Sequence, residues 1–143
     1  MEEAIAELRA LARGIHPTLL REEGLDVALE GLARRAPLPV TIEGCVGGRV
    51  APALELAAYF VATEALTNAV KHAAAASVTV HVERSGDTLR LVVSDDGVGG
   101  ALVTPAGGLS GLRDRVEALD GTLTVRSNSE DGTTVAAELP CAS

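Results

Sequence analysis

The periodicity of the chain changes abruptly near residue 75. Residues 53–73 form a long, mostly apolar run at helical spacing. Beyond it Val78, Val80 and Val82 alternate with Thr79, His81 and Glu83, and Leu89, Leu91 and Val93 resume the alternation after a Ser85-Gly86-Asp87 turn. A period near 3.6 lines up one side of a helix, whereas a period of two lines up one face of a strand. The sequence therefore predicts a long helix followed by an antiparallel hairpin with one buried face. Of the 143 residues 47% are hydrophobic, yet only Tyr59 and Phe60 are aromatic. The core must be built from Ala, Val and Leu, which suits helices packed closely on a sheet, and the length suits one domain.

The remaining segments fit that layering. Residues 2–14 place Ile5, Leu8, Leu11 and Ala12 at helical spacing, with Gly14 as a stop and Pro17 just beyond. Leu25, Ala28, Leu29 and Leu32 predict a second amphipathic helix over 25–36, and Val40 and Ile42 a short strand closed by Gly47-Gly48. Pro52 opens the long helix. A Gly-rich stretch at 97–111, a helix at about 109–119 and strands near 122–127 and 133–139 complete the chain. The sum is an α/β two-layer sandwich, a mixed, mainly antiparallel sheet with helices on one face.

A net charge of −8 without a basic stripe argues against a nucleic-acid partner, whose phosphates are held by Lys and Arg. Cys45 and Cys141 have no metal-type spacing and read as free thiols. No apolar run reaches the roughly 18–20 residues that span a bilayer, and the acidic Met1-Glu2-Glu3 start lacks a signal-peptide pattern.

Within the long helix Glu64, Asn68, Lys71 and His72 project from one face, opposite Ala62, Leu66 and Ala69. A carboxylate, an amide, an ammonium and an imidazole aligned over a buried helix form a candidate site. Asp95-Asp96-Gly97-Val98-Gly99-Gly100 follows a predicted strand directly. Its glycines allow close backbone approach to a flat ligand, and a carboxylate at the strand end can accept from an exocyclic amine. Gly107-Gly108-Leu109-Ser110-Gly111-Leu112 feeds a helix N-terminus, whose free N–H groups and positive dipole end suit phosphates. Each segment alone is equally a turn or a helix start. Neither is a Walker A loop, which needs Gly-Lys-Ser/Thr, nor a Rossmann fingerprint, since the flanking strands do not read as a βαβ unit.

Taken in order, these segments resemble the GHKL ATPase superfamily, and more narrowly the ATP-binding catalytic domain of sensor histidine kinases. Glu64-Ala65-Leu66-Thr67-Asn68-Ala69-Val70-Lys71-His72 is similar to that family's N box, and Asp95-Asp96-Gly97-Val98-Gly99 to its G1 box. Gly108-Leu109-Ser110-Gly111-Leu112 resembles its G2 box, and Gly132-Thr133-Thr134-Val135 its last box. The short lid from Ala101 to Gly107, Leu112-Arg113-Asp114-Arg115-Val116 and the upstream Gly14-Ile15-His16-Pro17 resemble the nitrate-sensor-like class.

The resemblance implies a Bergerat-type fold, with residues 1–15 as the end of a dimerisation or linker helix and 16–143 as the catalytic domain. It implies ATP or ADP with Mg²⁺ as cofactors. Asn68 would coordinate the metal, and Glu64 would order Asn68 or activate water. Lys71 and His72 would approach phosphates, and Asp95 would recognise the adenine amine with support from Thr133. Gly97, Gly99, Gly108, Leu109, Gly111 and Leu112 would shape the walls. The implied reaction is transfer of the ATP γ-phosphoryl group to a histidine of a dimerisation helix absent from this chain. The response regulator would be an indirect partner, and the location the cytoplasm, including as part of a membrane-anchored kinase. His16 is not the implied acceptor, because Pro17 follows it.

Two positions depart from the family pattern: Ala106 stands where a glycine is usual, and a glycine near Glu130 or Asp131 is missing. A free-standing GHKL serine kinase of anti-sigma type, a strand-passage or repair ATPase and a non-enzymatic nucleotide-binding regulatory module are the alternative readings.

Overall fold

The computed structural model describes residues 17–71, 76–97, 108–128 and 132–141; the side chains of 17–19, 71, 108–110, 127 and 128 are outside that description. The expected helix over 2–14, and with it the 1–15 segment, lies outside the described residues. Helices α1 (Pro17–Glu23) and α2 (Leu25–Arg35) lead into β1 (Val40–Cys45), and α3 (Pro52–Lys71) follows. The hairpin β2 (Val78–Ser85) and β3 (Thr88–Asp95), helix α4 (Gly108–Ala118), and strands β4 (Thr122–Asn128) and β5 (Gly132–Pro140) complete the order.

The five strands form one sheet in the order β1-β2-β3-β5-β4. β1 runs parallel to β2, and the other three pairings are antiparallel. The register aligns Ile42, Val80, Val93, Val135 and Val125 in one rung across all five strands. Because successive side chains alternate faces, the next inward rung is Val82, Leu91, Ala137 and Leu123. The core lies on this face alone, and the intervening Thr79, His81, Arg90, Thr124 and Glu138 are on the uncovered one. There His81 approaches Glu43 at 4.0 Å and Glu83 at 3.6 Å. The mixed, mainly antiparallel two-layer sandwich expected from the sequence is thus the observed fold.

Helix α3 packs across β2, β3 and β5, with α2 on one side and α4 on the other. It crosses from β1 to the parallel β2, which the chain needs because a tight hairpin cannot join parallel neighbours. Since β3 and β4 each pair antiparallel with β5, they run the same way, and α4 joins them across it. This is a split crossover, unlike the adjacent βαβ unit of a Rossmann fold.

Helix α1 was absent from the sequence reading, where Pro17 marked a break. Proline at the first helical position instead starts a helix, since that N–H has no intrahelical partner. The junction beyond it is held by two carboxylates. Asp26 accepts the N–H groups of Val46 (2.8 Å) and Gly47 (3.1 Å), fixing the end of β1 to α2. Glu55, 1% exposed, takes both ends of the Arg49 guanidinium at 3.0 Å, and Arg49 also donates to the Arg21 carbonyl at 3.0 Å. This bidentate pair ties α1 to the first turn of α3.

Candidate nucleotide-binding site

From Leu54 to Ala69 every residue of α3 is buried except Leu56, Phe60, Glu64 and Asn68. These occur every fourth position, so they form one line winding slowly round the helix. Glu64 and Asn68 therefore share the one open line between Leu54 and Ala69. On its buried side the hydroxyls of Thr63 and Thr67 donate to the Tyr59 and Thr63 carbonyls at 2.9 and 2.8 Å. Those bonds remove the penalty of burying them. Lys71 is the last described residue of α3, without its side chain, and His72 lies outside the described residues. Arg115 of α4 stacks on Phe60, its guanidinium carbon 4.8 Å from the ring centre.

Asp95 ends β3 beside the start of β5. Its Oδ1 accepts the N–H of Gly97 at 2.9 Å and that of Thr133 at 3.3 Å. Its Oδ2 makes no hydrogen bond among the described residues, and the carboxylate is only partly buried. Thr133 itself is buried, 4% exposed. Gly132 adopts φ +84°, and a Cβ there would collide with the Asp95 carbonyl oxygen. The G1 segment and the last box are therefore fitted to each other at one carboxylate.

Gly108 opens α4, and Gly111 in its first turn is exposed, with no described atom within 4 Å of where a Cβ would stand. A helix N-terminus offers free N–H groups of the kind an anion takes. Leu112 points instead into the core, 6% exposed. The side chain of Leu109, the whole of Gly99, and Ala106, Glu130 and Asp131 lie outside the description.

Two residues named only as members of the boxes in the sequence, Gly132 and Asp96, take individual roles in the structure. Gly132 had a signal, being the glycine of the Gly132-Thr133 pair, but its contact with Asp95 is visible only in three dimensions. Asp96, which the G1 box places beside Asp95 without a role of its own, turns its side chain to a different neighbour. Oδ1 accepts the N–H groups of Ala76 (2.8 Å) and Ser77 (2.9 Å), and Oδ2 accepts the Ser77 hydroxyl (2.9 Å). Hydrogen bonds from the Ser77 N–H, then its hydroxyl, hold the Asp96 carboxyl below the usual carboxylate range.

Residues 53–143 match the family described as histidine kinase-, DNA gyrase B-, and HSP90-like ATPase. The chain belongs to this ATPase family. Among its relatives, the signal transduction histidine-protein kinase/phosphatase DegS of Bacillus subtilis is 35% identical over 106 residues, covering 67% of this chain and 28% of DegS. The nitrate/nitrite sensor protein NarX of Escherichia coli is 32% identical over 124 residues, covering 81% of this chain and 21% of NarX. The chain thus spans less than a third of either relative. The histidine kinase domain of the Erythrobacter litoralis EL346 blue-light activated histidine kinase superposes with a TM-score of 0.63 at 23% identity. That superposition covers 82% of this chain and 63% of that domain, a likeness of fold. This member of the GHKL ATPases is an ATP-binding domain of the sensor histidine kinase type, as the order of its sequence boxes implied. No described helix is long and apolar enough to cross a membrane.

Proposed function

We propose that this GHKL domain, within a two-component sensor kinase of the nitrate-sensor-like class, binds ATP with Mg²⁺ and passes the γ-phosphoryl group to a histidine. The observation that carries the reading is the divided carboxylate of Asp95. Two backbone N–H groups occupy Oδ1 and so fix the side chain, while Oδ2 is left to accept an adenine exocyclic amine. Gly97, Gly99 and Gly132 keep Cβ atoms away from the base, and buried Thr133 supports Asp95 from β5.

The phosphates would lie between the open line of α3 and the N-terminus of α4. Lys71 and His72 would meet them from the end of α3, and the Gly108–Gly111 turn would offer N–H groups from the other side. The side-chain oxygen of Asn68 would hold Mg²⁺, an ion that takes few protein ligands and completes its shell with phosphate and water. Bound there, Mg²⁺ would neutralise charge on the phosphates. Glu64, one turn earlier on the same line, would orient Asn68 and the metal's water shell. Gly108, Leu109, Gly111 and Leu112 would form the wall beneath the lid, with Leu112 contributing from the core side.

In the transfer an imidazole nitrogen of the acceptor forms a bond to the γ-phosphorus as the bond to the ADP oxygen breaks. The work of this domain is positioning and charge stabilisation. Residues 1–15 would be the end of the dimerisation or linker helix and 16–143 the catalytic domain. The acceptor belongs to the parent kinase's dimerisation segment, the response regulator is the indirect partner, and the domain works in the cytoplasm. The test is to mix the chain with a separately made dimerisation segment, ATP and Mg²⁺. An acid-labile, base-stable phosphoryl group on that segment supports the reading. ATP binding without transfer supports the regulatory alternative.

A further inference from the structure

β4 forms one edge of the sheet, with β5 on one side and no strand on the other among the described residues. A regular edge offers its unpaired N–H and C=O groups to another strand unless something guards it. At the opposite edge β1 carries Glu43 and turns left-handed at Gly44, with φ +77°. Between Thr122 and Arg126, β4 has no glycine, proline or positive φ, and Val125 on its core side is only partly covered. On the uncovered face a groove of about 290 Å³ runs over β3, β5 and β4. Ala136 is its short floor, Arg126 stands at one end, and Arg90, Glu138 and Thr122 stand at the other. Arg126 makes no ion pair among the described residues. Glu138 meets Arg90 at 3.7 Å between half-exposed side chains, a pair that contributes little. Arg126 is opposite Thr134, and Glu138 lies four residues further along β5, about 13 Å away, so the two do not meet within one chain.

We propose that β4 is a self-association edge, through which two copies of the chain pair antiparallel about a two-fold axis at Thr124. The edge carries its cation at one end and a half-exposed carboxylate beside the other, an arrangement that an antiparallel copy complements. In this register Leu123 pairs with the partner's Val125, both on the core side, and Thr122 with the partner's Arg126, both on the uncovered side. The faces therefore match, and the two sheets join into one with the helices on the same side. The partner's Arg126 then stands two strand spacings, about 9.6 Å, from Glu138, with only the short Thr122 between. The two long side chains close that gap at the end of the groove, and the axis makes the pair twice. An axis at Val125 instead sets the partner's Arg126 beside Thr124, one rung short of Glu138, so the charges select Thr124. The association is independent of the nucleotide site.

The test is sedimentation equilibrium of the whole chain without nucleotide, in about 0.15 M salt, where charges more than about 8 Å apart are screened. The contact is smaller than a standard stable interface, so half-association is expected at about 0.1–1 mM. Arg126→Glu and Glu138→Arg are each expected to weaken the dimer about tenfold, and the double reversal to restore it to within about threefold of wild type. Net charge alone gives a different pattern, because on a chain of −8 the first change adds repulsion and the second removes it. Circular dichroism checks that each variant is folded. Cysteine pairing reads the register even should a charge reversal fail to fold. Cys141 is buried, and the exposed Cys45 is replaced by Cys45→Ser. In that chain Thr124→Cys is expected to form a disulfide dimer under diamide at least about fivefold faster than Thr122→Cys, because directly opposite Cβ atoms stand about 5 Å apart. A wild type that stays monomeric to about 1 mM overturns the inference. So do reversals that move affinity in opposite directions, a double reversal that restores nothing, or equal cross-linking from the two cysteine positions.

Discussion

Gly132 lies against the Asp95 carbonyl so closely that no side chain fits between them, and the next residue, Thr133, donates its N–H to the Asp95 carboxylate at 3.3 Å. Two segments separated by 36 residues of sequence or more are thereby built around one another. The carboxylate is oriented by backbone, which cannot rotate away, and a rigidly held acceptor binds a donor with little ordering entropy left to lose.

Asp95→Asn separates orientation from recognition. The asparagine oxygen still accepts from Gly97 and Thr133, so the fold is retained, but an NH₂ replaces the free acceptor and opposes the adenine amine. ATP affinity is expected to fall by about a hundredfold, with the thermal midpoint nearly unchanged. Calorimetry and a melting curve on the same sample check both halves.

Gly132→Ala attacks the same contact from the other strand. It puts a Cβ at a left-handed φ of +84° and into the Asp95 carbonyl. The combined backbone strain and forced shift should cost about 2–4 kcal/mol. Urea unfolding is expected to show a lower midpoint with an unchanged slope, and ATP affinity should fall because Asp95 is displaced.

Much of this was legible in the sequence because it is encoded by period. The switch from helical to twofold spacing after residue 73 located α3 and the β2–β3 hairpin, and the valines of β2 and β3 gave the buried face. The boxes gave the family in order. What was not legible is held by long-range polar contacts. Asp26, Glu55 and Asp96 each bind backbone or side-chain groups brought near only by folding, and no local pattern announces them. Glu55 did carry one clue. It precedes Ala58, Tyr59 and Ala62 on the buried side of α3, and a carboxylate there requires a cation, which the structure shows to be Arg49. Pro17 was misread because proline marks a helix's first turn as readily as its end.

Acid should loosen the Asp96 clamp. Its folded-state pKa is lowered by bonds from the Ser77 N–H and hydroxyl, so its contribution to stability is complete above the unfolded carboxylate value of about 4. It is lost as pH falls below that through the depressed folded-state value. The wild-type melting midpoint is expected to decline more steeply than that of Asp96→Asn as the pH falls below about 4. Parallel declines would show that the clamp does not form.

The Arg49–Glu55 pair should respond asymmetrically to truncation. Arg49→Ala strands a buried carboxylate without its cation, whereas Glu55→Gln leaves a half-exposed guanidinium that water can solvate. Arg49→Ala is expected to lower the melting midpoint by several degrees more than Glu55→Gln. Hydrogen exchange should show the added opening in α1, whose last carbonyls Arg49 also binds.

The most direct measurement is calorimetric titration of the chain with ATP, with Mg²⁺ and with a chelator, for wild type and Asn68→Ala. Wild type is expected to bind ATP saturably and about tenfold more tightly with Mg²⁺, an advantage that Asn68→Ala abolishes. No saturable binding by the wild type, or a Mg²⁺ advantage that survives Asn68→Ala, would contradict the account.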